Sequence, residues 1–225
     1  MTDVRVSEDP AGACATHLAA CLGAALAKGE RASLAVCGGS TPGPTYRQLA
    51  GAPLDWARVD IYFGDERCVP PDHADSTFRL IEEQFLAHIE GPPPTVLRMR
   101  GEDPDYDAAA RDYAALLPAK LDVALLGMGP DGHTASLFPG DPALLERGAA
   151  VLHIVSPKPP PHRLSLTPQA LAAAHERVML VTGAGKAAMV ARVLEGEFEP
   201  KNLPAQIARD GSWFLDPAAA AGLKS

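Results

Sequence analysis

Residues 123–138 read VALLGMGPDGHTASLF, and this stretch indicates an α/β protein with a ligand site. The apolar run from Val123 to Leu126 is typical of a strand buried on both faces of a sheet. It ends in a glycine-rich segment in which Asp131 and His133 stand two positions apart. Glycine lacks a Cβ, so its backbone can approach a ligand closely, and a carboxylate beside an imidazole is a common way to orient a general base. The segment therefore predicts a ligand cradle and an acid–base pair at the end of one strand.

Strand-like and helical segments alternate along the chain. Helices are predicted at 11–27, 44–49, 75–89, 105–116, 167–174, 185–194 and from Asp216 onward, and strands at 33–37, 59–63, 121–126, 151–155, 163–166, 178–181 and 213–215. This alternation predicts an α/β fold with a mostly parallel sheet and helices on both faces. The proline run 157–161 is short and has strand–helix units on both sides. We therefore interpret it as a loop within a single domain spanning 1–225.

The composition limits the possible functions. The chain has 225 residues, of which 47% are hydrophobic, and this suits one globular domain. Its formal net charge of -8 argues against a nucleic-acid partner, and no run of Lys and Arg indicates a membrane-surface patch. The N-terminus is acidic and the chain lacks about 18 uninterrupted apolar residues, so we expect no signal peptide and no membrane span. The four cysteines form no C-x-x-C pair, so we expect reduced thiols and a cytoplasmic location.

Three further polar clusters follow predicted strands. They are Gly38-Gly39-Ser40-Thr41-Pro42, Gly64-Asp65-Glu66-Arg67 and Gly183-Ala184-Gly185-Lys186. The first offers backbone and hydroxyl donors at a helix start, where anions are favoured. Arg67 can hold a phosphate through two parallel hydrogen bonds, and Arg163 is a weaker phosphate candidate. Lys186 at a helix start opposes the helix dipole, and a bound anion would offset that conflict.

Each cluster alone also has an ordinary structural explanation. A glycine turn with a capping hydroxyl, a surface ion pair and a solvent-exposed lysine are all common and need no ligand. Their joint placement is more informative, because the carboxyl ends of parallel strands share one edge of a sheet. The sequence therefore predicts a single anion-binding cleft that also contains His133 and Asp131.

Two cofactor hypotheses fit residues 123–138, the central segment, less well than a metal-free base does. Residues 127–132 match the dinucleotide fingerprint G-x-G-x-x-G, but the next predicted strand ends in His153 and Val155 instead of the required carboxylate. Asp131 and His133 supply only two ligands for a metal, with no obvious third one nearby in sequence. A metal-free base is the simpler interpretation.

Several more motifs accompany these clusters in a fixed order. They are Val69-Pro70 after the second cluster, residues 126–139, Arg163-Leu164-Ser165-Leu166-Thr167-Pro168, Leu203-Pro204-Ala205 and Trp213-Phe214-Leu215-Asp216. Taken together, the motifs resemble the 6-phosphogluconolactonase family over essentially the whole chain. The resemblance implies a Rossmann-like α/β fold shared with glucosamine-6-phosphate deaminase. It also implies hydrolysis of 6-phospho-D-glucono-1,5-lactone to 6-phospho-D-gluconate in the pentose phosphate pathway, with no metal or organic cofactor.

The resemblance also implies roles for individual residues. By motif match, the catalytic base is His133, the phosphate-binding residues are Arg67 and Lys186, and the residues lining the sugar site are Thr41, Asp65 and Asp131. The expected site thus comprises catalytic His133 and Asp131 and substrate-binding Gly39, Ser40, Thr41, Asp65, Arg67, Gly129, Arg163 and Lys186. Thr77 departs from the family pattern, in which Asn is expected, so a substrate contact from that side chain is in doubt.

Two other functions stay open. A glucosamine-6-phosphate deaminase is expected to carry a Glu near the end of the central segment, where this chain has the apolar pair Leu137 and Phe138. A non-catalytic sugar-phosphate sensor would need an output module, and we expect none because the strand–helix pattern starts within the first few residues. As partners we expect a small-molecule sugar-phosphate lactone and neither nucleic acid nor membrane, with the protein a monomer or a small homo-oligomer.

Overall fold

Strands and helices alternate along residues 2–224, the part of the chain that the computed structural model describes. The strands are β1 (Asp3–Val6), β2 (Ala32–Val36), β3 (Val59–Phe63), β4 (Asp65–Arg67), β5 (Thr95–Val96), β6 (Val123–Leu126), β7 (Val151–Val155), β8 (His162–Leu166), β9 (Glu176–Val181) and β10 (Ser212–Leu215). The α-helices are α1 (Pro10–Lys28), α2 (Gly43–Ala50), α3 (Thr77–Gln84), α4 (Tyr106–Ala114), α5 (Pro168–Ala172), α6 (Ala187–Glu195) and α7 (Pro217–Ala220).

The main sheet has seven strands in the order β1-β10-β9-β6-β2-β3-β5, and its neighbouring strands run parallel. Every residue of the interior strands β2 and β6 is buried, which is typical of strands covered by helices on both faces. The predicted α/β class with a mostly parallel sheet is therefore confirmed.

A second, antiparallel sheet of three strands in the order β4-β8-β7 corrects one part of the prediction. Residues 151–155 and 162–166 do form strands, but they pair with each other as a hairpin instead of joining the parallel sheet. The proline loop between them is too short for the crossover that parallel neighbours require, so the chain must return antiparallel. β4 follows β3 after Gly64 and pairs with β8, so this small sheet lies beside the ends of the main strands.

The helix predicted at 75–89 is too long. α3 begins after Ser76, whose hydroxyl accepts a hydrogen bond from the Arg79 N–H, and it ends at Gln84. At Phe85 the backbone leaves the helical region (φ -127°, ψ -65°), and a 3-10 turn follows at Leu86–His88. Apolar spacing shows which residues face the core, but Phe85 reaches its buried position through a break in the helix.

Helix α1 has the length and the mean hydropathy, 1.4 over 18 residues, of a segment that could cross a membrane. Its N-terminus is capped by Asp9, whose carboxylate accepts a hydrogen bond from the Gly12 N–H. Cys14, Leu18 and Leu22 on this helix are fully buried in the core formed with the main sheet. A core helix of this kind meets the same length and hydropathy criteria as a membrane span.

Four loops that carry the predicted polar clusters meet at one edge of the main sheet. They follow β2, β3, β6 and β9, which all run in the same direction. The loops therefore converge at the carboxyl ends of the strands, where α/β proteins bind their ligands. β4 and β8 lie at this same edge, because β4 follows β3 directly.

Candidate functional site

A cleft of about 190 Å³ lies at this edge of the sheet. Its lining residues come from every predicted cluster; they are Cys37, Gly38, Gly39, Ser40, Thr41, Pro42, Asp65, Arg67, Gly127, Met128, Gly129, His133, Ala135, Arg163, Leu180 and Lys186. All the expected site residues except Asp131 therefore line one cavity, and Asp131 contacts the lining residue His133. A wider groove of about 750 Å³ elsewhere on the surface contains none of the expected site residues.

His133 and Asp131 form a hydrogen-bonded pair, with His133 Nδ1 against Asp131 Oδ1. The turn that presents them depends on Gly132, whose φ of +83° lies in the left-handed region that favours glycine. Gly129 also has a specific reason to lack a side chain, because a Cβ there would overlap the His133 ring. The glycines of the central segment thus position the imidazole and the carboxylate.

The environment of the pair favours a neutral imidazole and an ionised carboxylate. Burial lowers the pKa of His133 below its ordinary value; Asp131 opposes this change, and the charge of Lys158 adds to it. Burial alone would raise the pKa of Asp131, but hydrogen bonds with Lys158 and His133 outweigh burial and hold it well below its usual range. A neutral His with an ionised partner can act as a general base near neutral pH.

Three cationic side chains line the same cleft. Arg67 and Arg163 are direct cross-strand partners on β4 and β8, so their charges lie close together. Burial and the neighbouring Arg67 both lower the pKa of Arg163, which is only 7% exposed. Burial lowers the pKa of Lys186 as well. Cations held together at a cost in desolvation and repulsion are typical of a site that binds an anion.

The two arginines are held by backbone carbonyls. Arg163 donates to the carbonyl oxygens of Pro159 and Pro160 at 3.2 and 3.0 Å, and Arg67 donates through Nη1 to Asp75 O at 2.6 Å. Within residues 2–224, the buried Nε of Arg67 has no hydrogen-bond partner. Neither guanidinium is neutralised by an ion pair of the described residues, so both keep positive charge for a ligand.

The loop after β2 supplies uncharged donors. Gly39 has a φ of +101°, and the exposed Ser40 and the half-buried Thr41 follow it just before α2. Backbone N–H groups before a helix favour an anion or a polarised oxygen. Thr77 lies behind this loop, since its Oγ1 would be 2.8 Å from a Cβ at Gly38. Thr77 is not a lining residue of the cleft.

The two carboxylates of the second cluster have different positions. Asp65 lines the cleft and accepts a hydrogen bond of 2.6 Å from the buried hydroxyl of Ser136. Glu66 points away from the cleft and accepts hydrogen bonds from the backbone N–H groups of Thr77 and Phe78. Asp65 is therefore available to substrate hydroxyls, whereas Glu66 fixes the start of α3.

Lys158 contacts the His133–Asp131 pair, and the sequence analysis did not single it out. It lies in the loop between β7 and β8, and its Nζ is 2.9 Å from Asp131 Oδ2. The only sequence signal is one lysine within a run of prolines, and such a loop predicts nothing about what the lysine contacts. The tertiary fold alone brings residues 131 and 158 together.

Two histidines outside the cleft form a pair, because the rings of His153 and His162 share a 2.9 Å hydrogen bond between Nε2 and Nδ1. Tyr106 packs against both rings. Neither histidine lines the cleft, and the pair rests on the β7–β8 hairpin.

The fold and the site together define an α/β protein with a cation-lined cleft at the strand ends and a hydrogen-bonded histidine–aspartate pair beside it. The family model described as glucosamine-6-phosphate isomerases/6-phosphogluconolactonase matches residues 6–215. A Homo sapiens protein named 6-phosphogluconolactonase is 40% identical over 234 residues, which cover 95% of this chain and 90% of that protein. The chain therefore belongs to the glucosamine-6-phosphate isomerase/6-phosphogluconolactonase family.

Solved structures agree with this assignment. The structure of 6-phosphogluconolactonase from Trypanosoma brucei has a TM-score of 0.84 and 28% identity, and the match covers 100% of this chain and 99% of that one. A monomeric glucosamine-6-phosphate deaminase has a TM-score of 0.85 with 22% identity over 98% and 99% of the two chains. The second likeness concerns the fold alone, so the fold does not separate the two activities.

Proposed function

We propose that this protein hydrolyses 6-phospho-D-glucono-1,5-lactone to 6-phospho-D-gluconate, a step of the pentose phosphate pathway. Membership of the family and the names of its relatives support this activity. The observation that carries the proposal is the joint lining of one small cleft by His133, Arg67, Arg163 and Lys186. A phosphorylated lactone needs cations for its phosphate and a base for the attacking water, and this cleft offers both.

The cations would bind the phosphate of the substrate. A phosphate monoester carries about two negative charges near neutral pH, and guanidinium groups hold it through parallel hydrogen bonds. Arg67, Arg163 and Lys186 line the cleft, and Asp65 and Thr41 offer hydrogen bonds to the sugar hydroxyls. This arrangement would fix the lactone carbonyl near His133.

The chemical step would use His133 as the base. Neutral His133 takes a proton from water while the oxygen of that water attacks C1 of the lactone. Backbone N–H groups of residues 129–132 or of Gly38 and Gly39 would stabilise the negative charge on the carbonyl oxygen. The tetrahedral intermediate then breaks the bond from C1 to the ring oxygen, and protonated His133 returns its proton to that oxygen at C5. The products are the open-chain acid and the neutral base.

The residue beside the base argues against deamination. Phe138 packs against His133 with ring centroids 4.8 Å apart, and Leu137 is fully buried. The position expected to hold a carboxylate in a deaminase thus holds apolar side chains.

We also propose that the protein acts in the cytoplasm and binds neither nucleic acid nor a membrane. We propose that it is a monomer or a small homo-oligomer.

A coupled assay tests the activity. Freshly generated lactone is supplied, and 6-phosphogluconate is detected through 6-phosphogluconate dehydrogenase and NADPH, after correction for spontaneous ring opening. We expect acceleration by the wild type and loss of that acceleration in His133→Ala. Ammonia release from glucosamine 6-phosphate would instead indicate a deaminase, and binding of 6-phosphogluconate without turnover of the lactone would indicate a sensor.

A further inference from the structure

The loop between β7 and β8 contacts both Arg163, which lines the cleft, and Asp131, the partner of His133. A 2.6 Å hydrogen bond from Ser156 N–H to Pro161 O joins the two ends of this loop. Within the loop, the Lys158 N–H donates to Ser156 Oγ. The carbonyls of Pro159 and Pro160 hold Arg163, while the side chain of Lys158 extends to Asp131. One short proline-rich segment therefore supports a candidate phosphate ligand and the carboxylate of the base pair.

The ammonium group of Lys158 lies among three side chains of the central segment. Its Nζ is 2.9 Å from Asp131 Oδ2, 3.2 Å from His133 Nδ1 and 5.7 Å from the centroid of the Phe138 ring. The ring of Phe138 also packs against that of His133. Pro159 limits the backbone freedom of Lys158, so the further entropic cost of placing the ammonium is that of ordering the side chain.

The hydrogen-bond pattern determines where the proton of His133 resides. Asp131 accepts from Lys158 through Oδ2 and faces His133 Nδ1 through Oδ1. Both contacts are satisfied when Nδ1 carries the proton and donates it to Oδ1, which leaves Nε2 free as the basic nitrogen. In that arrangement the ammonium faces a ring N–H at 3.2 Å, so a positive charge on the ring would be repelled.

We propose that Lys158 is a positioning residue for the base: it holds Asp131 in the orientation that fixes the tautomer of His133, and its charge adds to burial in favouring the neutral imidazole before substrate binds. It makes the protonated imidazole a better acid as well, so that the proton passes readily to the C5 oxygen. The proton transfer to the C5 oxygen rests on the proposed lactone hydrolysis. The effect of Lys158 on the tautomer and charge of His133 does not depend on it.

The charged groups near His133 determine in which direction its pKa should change when the charge of Lys158 is removed. Asp131 on the same segment and Asp65 on β4 both favour the protonated ring, whereas Lys158 on the β7–β8 loop opposes it. Burial lowers the pKa of His133 as the largest influence. Removal of the Lys158 charge leaves burial opposed by the two carboxylates alone, so the pKa of His133 should rise.

Lys158→Met tests this, with Lys158→Arg as the charge-retaining variant and Lys120→Met, an exposed lysine outside the cleft, as the matched control. The first measurement is the titration of the His133 ring nitrogens by NMR without substrate. We expect the wild type, Lys158→Arg and Lys120→Met to show an Nδ1-protonated tautomer and the same titration. Lys158→Met should titrate at higher pH. An unchanged His133 titration in Lys158→Met overturns the proposal, whether or not the protein turns out to be a lactonase.

The second measurement is kcat/KM between about pH 5 and 8. In Lys158→Met the fall of kcat/KM on the acidic side of the profile should move to higher pH. On that acidic side kcat/KM should be about threefold to tenfold lower than in the wild type, whereas at about pH 8 it should be little changed. The substrate phosphate titrates in the same range, but equally for all variants. Lys158→Arg should restore the wild-type profile. A loss of the same size at every pH, with no rescue by arginine, would mean that Lys158 has only a structural role.

Discussion

Arg67 and Arg163 are direct partners across the antiparallel strands β4 and β8, although 95 residues separate them in the sequence. Two guanidinium groups on neighbouring strands repel each other, and like charges opposite each other weaken a sheet. Both residues line the cleft, where an anion would relieve that repulsion. We therefore expect a bound anion to stabilise the pairing of β4 with β8.

Replacing a cleft cation should weaken substrate binding. Arg67→Met and Lys186→Met should each raise KM by about tenfold to a hundredfold, because hydrogen bonds to charged groups contribute about 1.5–3 kcal/mol. Arg111→Met, a change of an exposed arginine on α4, is the control and should leave KM unchanged. Steady-state kinetics with the lactone measures both constants. Normal KM values in both cleft variants would place the phosphate elsewhere.

Loss of the proposed base His133 should lower the turnover rate, kcat. His133→Ala should lower kcat by about 10²–10⁴ with a small effect on KM, because general base catalysis contributes in the transition state. His88→Ala, at an exposed histidine outside the cleft, is the matched control. The coupled assay measures kcat for both variants. A rate for His133→Ala close to that of the wild type would exclude His133 as the base.

Gly129 should tolerate no side chain. A Cβ at this position would overlap His133 and lie 2.6 Å from Asp131 Oδ1, so Gly129→Ala should displace the imidazole and lower kcat by about a hundredfold, since small misplacements of reacting groups are costly. Gly23→Ala on α1 is the control, because its Cβ would meet only Leu54 at an ordinary 3.7 Å. Full activity of Gly129→Ala would show that the ring does not need this close approach.

Stability should fall in mild acid. Burial and His162 lower the pKa of His153, with Asp107 opposing them, and burial lowers that of His133 as well. A depressed pKa in the folded state means that the unfolded chain binds protons first. The stability present above about pH 6.5 is therefore lost as the pH falls below that value.

Urea unfolding at about pH 8 and about pH 5.5 measures this loss. His153→Gln removes one of the two titrating groups, so its free energy of unfolding should change less between the two pH values than that of the wild type. His175→Gln, at an exposed histidine, should show the wild-type difference. Equal pH dependence in His153→Gln and the wild type would contradict the assignment.

Much of the fold could be predicted from local patterns. The buried strand 123–126 is continuously apolar, and the buried strand 32–36 is interrupted only by Ser33. Asp105 and Asp216, at which helices were predicted to begin, are the N-caps of α4 and α7. Three strands were missed: β1 is a largely exposed edge strand, β4 consists of three charged residues, and β5 has two residues. Strand prediction from the sequence depends on a run of apolar residues, and these strands are too polar or too short to provide one.

The sequence by itself determined the parallel sheet, the glycine turns and the convergence of Gly39, Asp65, His133 and Lys186, since strands of one direction bring their ends to one edge. Only the tertiary structure decided the antiparallel sheet that sets Arg67 beside Arg163 and the loop that brings Lys158 to Asp131. The physical reason is the range of the interactions. Strand type and turn conformation depend on neighbours along the chain, whereas these contacts join segments whose pairing depends on how the whole core packs.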